Sequence, residues 1–314
     1  MATGSTKAVY AALFGNLGIA ATKFVAAAVT GSPSMWAEAY HSSSDTVNQI
    51  LLLVGIRISV KPATFSHQFG FGKSQFFWSF VVATMIFGIS GVLALEQGFS
   101  SLLFGNEYHA ENHMINYIVL AVAAGFEGNA LRIAFRQFKQ AIIARSDNKP
   151  KKIRFKSLLS EFKESKDPTI LTVIVEDSAA LLGIAIAATG ILLTDITENT
   201  VYDAISSIAI GSILMMFAFF LARENRGLLI GESIDKQQFE KIIRIIEGIP
   251  EVNQLVTMKT MHLGPKDALI GIEVNLVDGL DTDKIEQVTD EIEQNVMSVL
   301  PEVKKEHIFV EIER

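Results

Sequence analysis

Six apolar stretches occupy the first two thirds of the chain, at roughly 8–30, 34–60, 76–102, 114–138, 168–194 and 200–222. A helix rises 1.5 Å per residue, so about 20 apolar residues cross a hydrocarbon core of about 30 Å, and each stretch is long enough. None reads as a strand of comparable length. Beyond residue 223 the pattern changes to short amphipathic elements. A helix is predicted over 235–248, strands near 253–263 and 268–277, a second helix over 281–299 and a last strand over 306–313. Asp281 can cap the second helix, in which Ile285, Val288, Ile292, Val296 and Leu300 recur on one face. The expected architecture is an all-α transmembrane domain of six helices at 1–223, followed by an α+β ferredoxin-like domain of order αββαβ at 224–314. A domain of about 90 residues has a small core and gains from dimerising.

Composition agrees with a membrane protein: 49% of the 314 residues are apolar, only 19% are charged, and mean hydropathy is +0.34. The chain has no Cys, which excludes disulfides, thiolate metal ligands and cysteine nucleophiles. Any site must therefore be built from imidazole, carboxylate, hydroxyl or backbone groups. The net charge of −7 is unevenly spread. Lys7 precedes the first span, Arg57, Lys61 and Lys73 lie between the second and third, and residues 145–166 add eight basic side chains between the fourth and fifth. The alternate loops, 31–33, 103–113 and 195–199, hold no Lys or Arg. This asymmetry predicts both termini in the cytoplasm. Residues 145–167, interrupted by Pro150, read as a cytoplasmic loop. Residues 224–314 carry 19 acidic against 10 basic side chains and read as a soluble domain. MATGSTK offers no cleavable signal, so the first span is expected to direct insertion, here into a prokaryotic inner membrane.

An ionisable group within lipid costs several kcal/mol unless it is paired, solvated or liganded. His41 and Asp45, four residues apart, share one face of the second span and lie roughly 10–17 Å deep. The fifth span runs the opposite way and places Glu176 and Asp177 at about 13–15 Å, so the two groups meet near the midplane. Imidazole with carboxylates and no sulfur suits Zn²⁺, and also Fe²⁺, Co²⁺ or Mn²⁺. A structural His–Asp hydrogen bond is the bland alternative; a facing carboxylate pair at matching depth favours the metal. Glu127, about 20 Å from the outer end of the fourth span, is either a further ligand or half of an ion pair with Arg132 or Lys23. Lys23, Glu38 and Asp203 are assigned structural roles: snorkelling or pairing for Lys23, a shallow position for Glu38, and the first turn of the sixth span for Asp203. No HExxH occurs and Ser42 to Ser44 have no neighbouring base except His41, which argues against an intramembrane protease. A membrane-anchored metal sensor without transport is the other rival, and the intramembrane acids argue against it. No cofactor is expected, because the divalent metal is cargo. Protons, the lipid membrane and a second copy of the chain are the expected partners, and nucleic acid is not one.

Several motifs together resemble the cation diffusion facilitator family, from Lys7 to Arg314. GNLGIAATKFVAAAVTGSPSMWAEAYH resembles the family's first span and turn, AEAYHSSSD its HxxxD signature, and HQFGFGK at 67–73 its HxFGxGK-like loop. FFWSF, VEDSAALLGI, YDAISSIAIG and ARENRGLLIGES resemble the branch that includes mitochondrial zinc exporters. The resemblance implies a dimeric exchanger of divalent metal for protons, with His41, Asp45 and Asp177 as ligands. The chain also departs from the family's pattern. Val173 stands where similar transporters carry a second ligand four residues before Asp177, so Glu127 or Glu176 must complete the set. Glu127 is favoured, because Glu176 lies about 100° around the helix from Asp177. Phe71 replaces a loop His of similar zinc exporters, which leaves His67 as a hydrogen-bonding loop residue. Regulatory ligand positions of the terminal domain read Val256, His262, Glu273, Glu311 and Glu313, a set poorly suited to a binuclear zinc site.

Overall fold

The computed structural model describes residues 3–104, 113–145 and 168–313. The predicted basic loop, apart from Arg145, and residues 105–112 of the predicted loop 103–113 lie outside these. The chain divides into two compact units, Met1–Val54 with Trp78–Glu224, and Gly55–Phe77 with Asn225–Arg314.

The helices in chain order are α1 (Thr3–Thr30), α2 (Pro33–Ser59), α3 (Ser74–Val81), α4 (Gly88–Phe104), α5 (His113–Arg145), α6 (Pro168–Thr197) and α7 (Val201–Ile230). A π-helical turn over Val82–Phe87 joins α3 to α4, so the predicted third span is broken internally. Five apolar segments among the described residues are long enough to cross a membrane, the α3–α4 rod counting as one. α2 has the length, 27 residues, but its polar side chains keep it below the same apolarity. α5 and α7 run past their apolar stretches, to Arg145 and Ile230, because a helix does not end where its hydrophobicity does.

The helical unit is built outside-in. Phe104 is 85% exposed and Phe219 72%, while Lys23, Glu38 and His41 are fully buried. An apolar exterior around a polar interior is what a hydrocarbon solvent selects. Since burying Leu or Phe gains little in lipid, small residues and polar contacts hold the helices together. α4 meets α7 through glycines: a Cβ on Gly98 would lie 2.9 Å from the Ala204 carbonyl oxygen, and one on Gly211 2.8 Å from that of Gly91. Ser207 Oγ donates to the Ala94 carbonyl at 2.8 Å across the same seam. α5 packs against α6 and α1. Ser32 caps α2, its Oγ accepting from Met35 N at 3.2 Å. The start of α2 is tied to α7 where Ser32 Oγ (2.6 Å) and Ser34 Oγ both donate to the Asp203 carboxylate.

The second unit contains α8 (Lys236–Ile246), β1 (Val252–Gly264), β2 (Asp267–Leu276), α9 (Thr282–Val299), a 3-10 turn (Lys305–His307) and β3 (Ile308–Glu313). Asp235 caps α8 through Gln237 N at 2.8 Å, and Asp281 caps α9 through Lys284 N at 2.8 Å. The sheet order is β1-β2-β3, with β1 antiparallel to β2 and β2 parallel to β3, Ile270 facing Ile308. A parallel pair needs a crossover, and α9 supplies it. Ile270, Ile272 and Val274 pack with Ile242, Ile246, Val288, Ile292 and Val296 into one core.

This unit also takes in residues 55–77, which the division at 223 and 224 assigns to the helices. The reason is close backbone packing. A Cβ on Gly72 would lie 3.2 Å from Gly264 Cα, and Gly70 turns the loop with φ of 78°. The Phe69 ring stands 5.7 Å from that of His307.

A side chain at Gly98 or Gly211 must force α4 from α7. Gly98→Val or Gly211→Val is expected to destabilise the detergent-purified protein by about 1–3 kcal/mol, seen as a lowered thermal midpoint; unchanged melting would show that the seam is not tightly packed.

Candidate metal centre

The polar interior is organised along α2. Glu38, His41, Ser42, Asp45 and Asn48 recur at intervals of three and four, which puts them on one helical stripe. His41 Nδ1 lies 3.5 Å from Asp45 Oδ1, and both side chains are buried. On α6, Glu176 meets the stripe twice: Asn48 Nδ2 donates to Glu176 Oε2, and the Asp45 and Glu176 carboxyls are within electrostatic range of each other. Glu127 of α5 and Asp177 of α6 are both within electrostatic range of Asp45. Asp45 Oδ1 and Asp177 Oδ2 are buried without a hydrogen-bond partner. The contacts run pairwise, from His41 to Asp45 to Glu176, and do not converge on one point. Among the described residues, no three His, Asp or Glu side chains are grouped closely enough to hold an ion.

Glu127 and Glu176 thus take different places. The helical-wheel argument favoured Glu127, but Glu176 makes the direct contacts with α2. A glutamate stem spans more than the angle between adjacent residues removes. Lys23 is fully buried, and its Nζ donates at 2.7 Å to both Glu38 Oε2 and Ser42 Oγ. The ammonium expected as one partner of Glu127 is therefore held by Glu38. Asn48 escaped the sequence reading, although its position, three residues beyond Asp45 and seven beyond His41, is the signal that would have found it.

In the second unit, His67 makes its hydrogen bonds through the backbone, exchanging N–H and carbonyl with Thr64, while its ring stacks on Phe71 at 4.4 Å. Glu273 faces Glu311 across β2 and β3, Glu313 faces Asn275, and His262 pairs with Ala268. Val256 is 38% exposed on β1. A contact not anticipated is His307 with Asp267, Nδ1 to Oδ1 at 3.0 Å.

Long apolar helices around a buried stripe of imidazole and carboxyl groups define a multi-pass membrane protein with an intramembrane polar pocket. The model of the cation efflux transmembrane domain matches residues 9–230. The chain belongs to that family, the cation diffusion facilitators, whose members are transporters and not enzymes. It is 34% identical over 77% of its length to the mitochondrial proton-coupled zinc antiporter SLC30A9 of Mus musculus, covering 41% of that protein. It is 30% identical over 83% of its length to metal tolerance protein C4 of Arabidopsis thaliana, covering 55% of it. A third relative is the magnetosome protein MamM of Paramagnetospirillum magneticum, 22% identical over 78% of this chain and 70% of that one. The chain thus spans about half or less of the length of the zinc antiporter and the plant protein.

Asn48→Ala would leave Glu176 Oε2 without its donor in a buried site. The expected cost is about 1–3 kcal/mol of stability, measurable as a lower denaturation midpoint in detergent; an unaltered midpoint would deny that this bond ties α2 to α6.

Proposed function

We propose that the chain is a zinc efflux transporter that exchanges Zn²⁺ for protons by alternating access. Its spans are the six predicted helices, with α2 the polar one among them. The observation that carries the reading is the meeting of the α2 stripe with Glu176 and Asp177 in a buried interior. His41, Asp45 and Asp177 form the core of the ligand set, with Glu127 and Glu176 supplying the oxygens that Val173 cannot. The pairwise contacts describe a set that must close on its ion, through rotation of carboxyls within reach of Asp45. Binding requires a neutral imidazole and ionised carboxylates, so capture releases protons and reprotonation favours release. That linkage yields antiport with one site. The printed description of SLC30A9 as a proton-coupled zinc antiporter supports the choice of ion and of coupling. Iron, manganese and cobalt remain chemical competitors for so oxygen-rich a set.

In the same reading both termini face the cytoplasm of a prokaryotic cell, the basic segments lie on that side, and two copies assemble through the terminal unit. Its αββαβ order supports the ferredoxin-like assignment.

Proteoliposomes with opposed pH inside and outside should accumulate Zn²⁺ in proportion to the proton gradient. His41→Ala or Asp45→Ala removes a ligand and should weaken metal dependence at least about 10–100-fold, the range already seen for outer-shell partners. Flux indifferent to both substitutions would sink the assignment. A panel of Zn²⁺, Fe²⁺, Mn²⁺ and Co²⁺ in the same assay decides the ion.

A further inference from the structure

Among the described residues, the helical unit buries one ammonium and six carboxyls, of which Asp203 is already held by Ser32 and Ser34. Among the described residues with buried side chains, Lys23 is the cation in the company of Glu38, Asp45, Glu127, Glu176 and Asp177. It reaches the pocket from α1, and two acceptors of the α2 stripe, Glu38 Oε2 and Ser42 Oγ, hold its Nζ at 2.7 Å each. Ser42 adjoins His41 in sequence. Asp45 lies three residues further along the stripe, about 4.5 Å of helical rise, which a four-carbon stem covers by changing rotamer. The ammonium is also within electrostatic range of His41, Asp45 and Glu127.

Glu38 is itself positioned from the far side. Its Oε1, buried and without a hydrogen-bond partner, lies against Gly183 of α6, where any Cβ would collide with it. Gly183 therefore gives Glu38 room to face α1 and grip Lys23.

We propose that Lys23 is an internal counter-cation of the metal pocket, and that the grip of Glu38 and Ser42 sets how strongly it competes with the transported ion. The proposal rests on the ligand reading of His41, Asp45 and Asp177 given above. Held by Glu38, the ammonium lends positive potential to the carboxylate cluster while leaving the ligands accessible. Released from Glu38, it moves along the stripe to the nearest carboxylate and becomes a tethered rival of the divalent ion. Lys23 and Glu38 are thus affinity-setting residues that do not ligate the metal.

A double-mutant cycle read by equilibrium Zn²⁺ binding to the purified full chain tests this, without any flux assay. In Glu38→Gln the ammonium loses its charged acceptor. If it then occupies the pocket about nine tenths of the time, apparent affinity falls about tenfold. Adding Lys23→Met removes the rival, and the double variant should return to within about threefold of the parent. A tie that merely holds α1 to α2 predicts the opposite, since the double variant breaks it as fully as the single one. Glu38→Asp, which keeps the charge and shortens the grip by one methylene, should give an intermediate loss, and it carries the test if Glu38→Gln does not accumulate folded. His41→Ala is the control. Zn²⁺ binding that ignores His41→Ala overturns the ligand reading and the counter-cation role together. Binding that depends on His41 but is unmoved by Glu38→Gln, or not restored in the double variant, overturns the counter-cation role alone.

Discussion

The cost of holding charge in hydrocarbon governs this molecule, because each such group amounts to several kcal/mol unless something answers it. Eight ionisable side chains among the described residues, Lys23, Glu38, His41, Asp45, Glu127, Glu176, Asp177 and Asp203, are buried in the helical unit. The answers they find are also the joints of the bundle. Lys23 with Glu38 joins α1 to α2, Asn48 with Glu176 joins α2 to α6, Ser44 with Ser90 joins α2 to α4, and Ser32 and Ser34 with Asp203 join α2 to α7. Apolar packing offers little preference between a neighbouring helix and a lipid tail, so these polar contacts and the glycine seam of α4 and α7 decide which helix stands next to which. It follows that α2, too polar to pass for an ordinary span, is the helix to which α1, α4, α6 and α7 are fastened.

Much of this could be read from residue spacing alone. The positions of the long helices, the polar character of the second and the αββαβ order of the terminal unit all follow from local periodicity, though α5 and α7 extend seven and eight residues past their predicted ends. The pairing of Lys23 with Glu38 was within reach as well. The turn at Gly31 and Ser32 joins two antiparallel helices, with Lys23 eight residues before it and Glu38 six after, which brings the two within side-chain reach of each other. Treating Glu38 as a shallow residue on its own helix hid that proximity. The π-helical turn at Val82–Phe87 had no such signal, since no Pro marks it and its one polar residue, Thr84, only returns its hydroxyl to the carbonyls of the preceding turn. Nor did the association of residues 55–77 with the terminal unit, which depends on Gly72 meeting Gly264. A glycine reports that space is needed, but it does not say for what.

Glu176 shows a different limit. Angular separation on a helix describes where a Cβ begins, and it excludes short side chains better than long ones. Glu176 reaches Asp45 and Asn48 from a position that the wheel turned away from Asp177. Two adjacent residues of α6 can therefore serve the same interior from different angles, which a motif built on four-residue spacing does not anticipate.

Val173 then acquires a meaning beyond a missing ligand. In the proposed ligand set, an imidazole at that position would add a neutral donor, whereas the oxygens of Glu127 and Glu176 bring formal charge. One divalent ion answers two carboxylates, and among the described residues the interior holds six, with a single ammonium beside them. In a medium that screens so little, the remainder must be matched by protons, by Lys23, or by both. In the proposed reading, metal and protons are alternative ways of neutralising the same oxygens, and exchange of one for the other would follow from charge balance. Under the same proposal a lysine is tolerated beside a cation site: it would lower the charge that must be neutralised while no ion is bound, with Glu38 holding it from the other carboxylates.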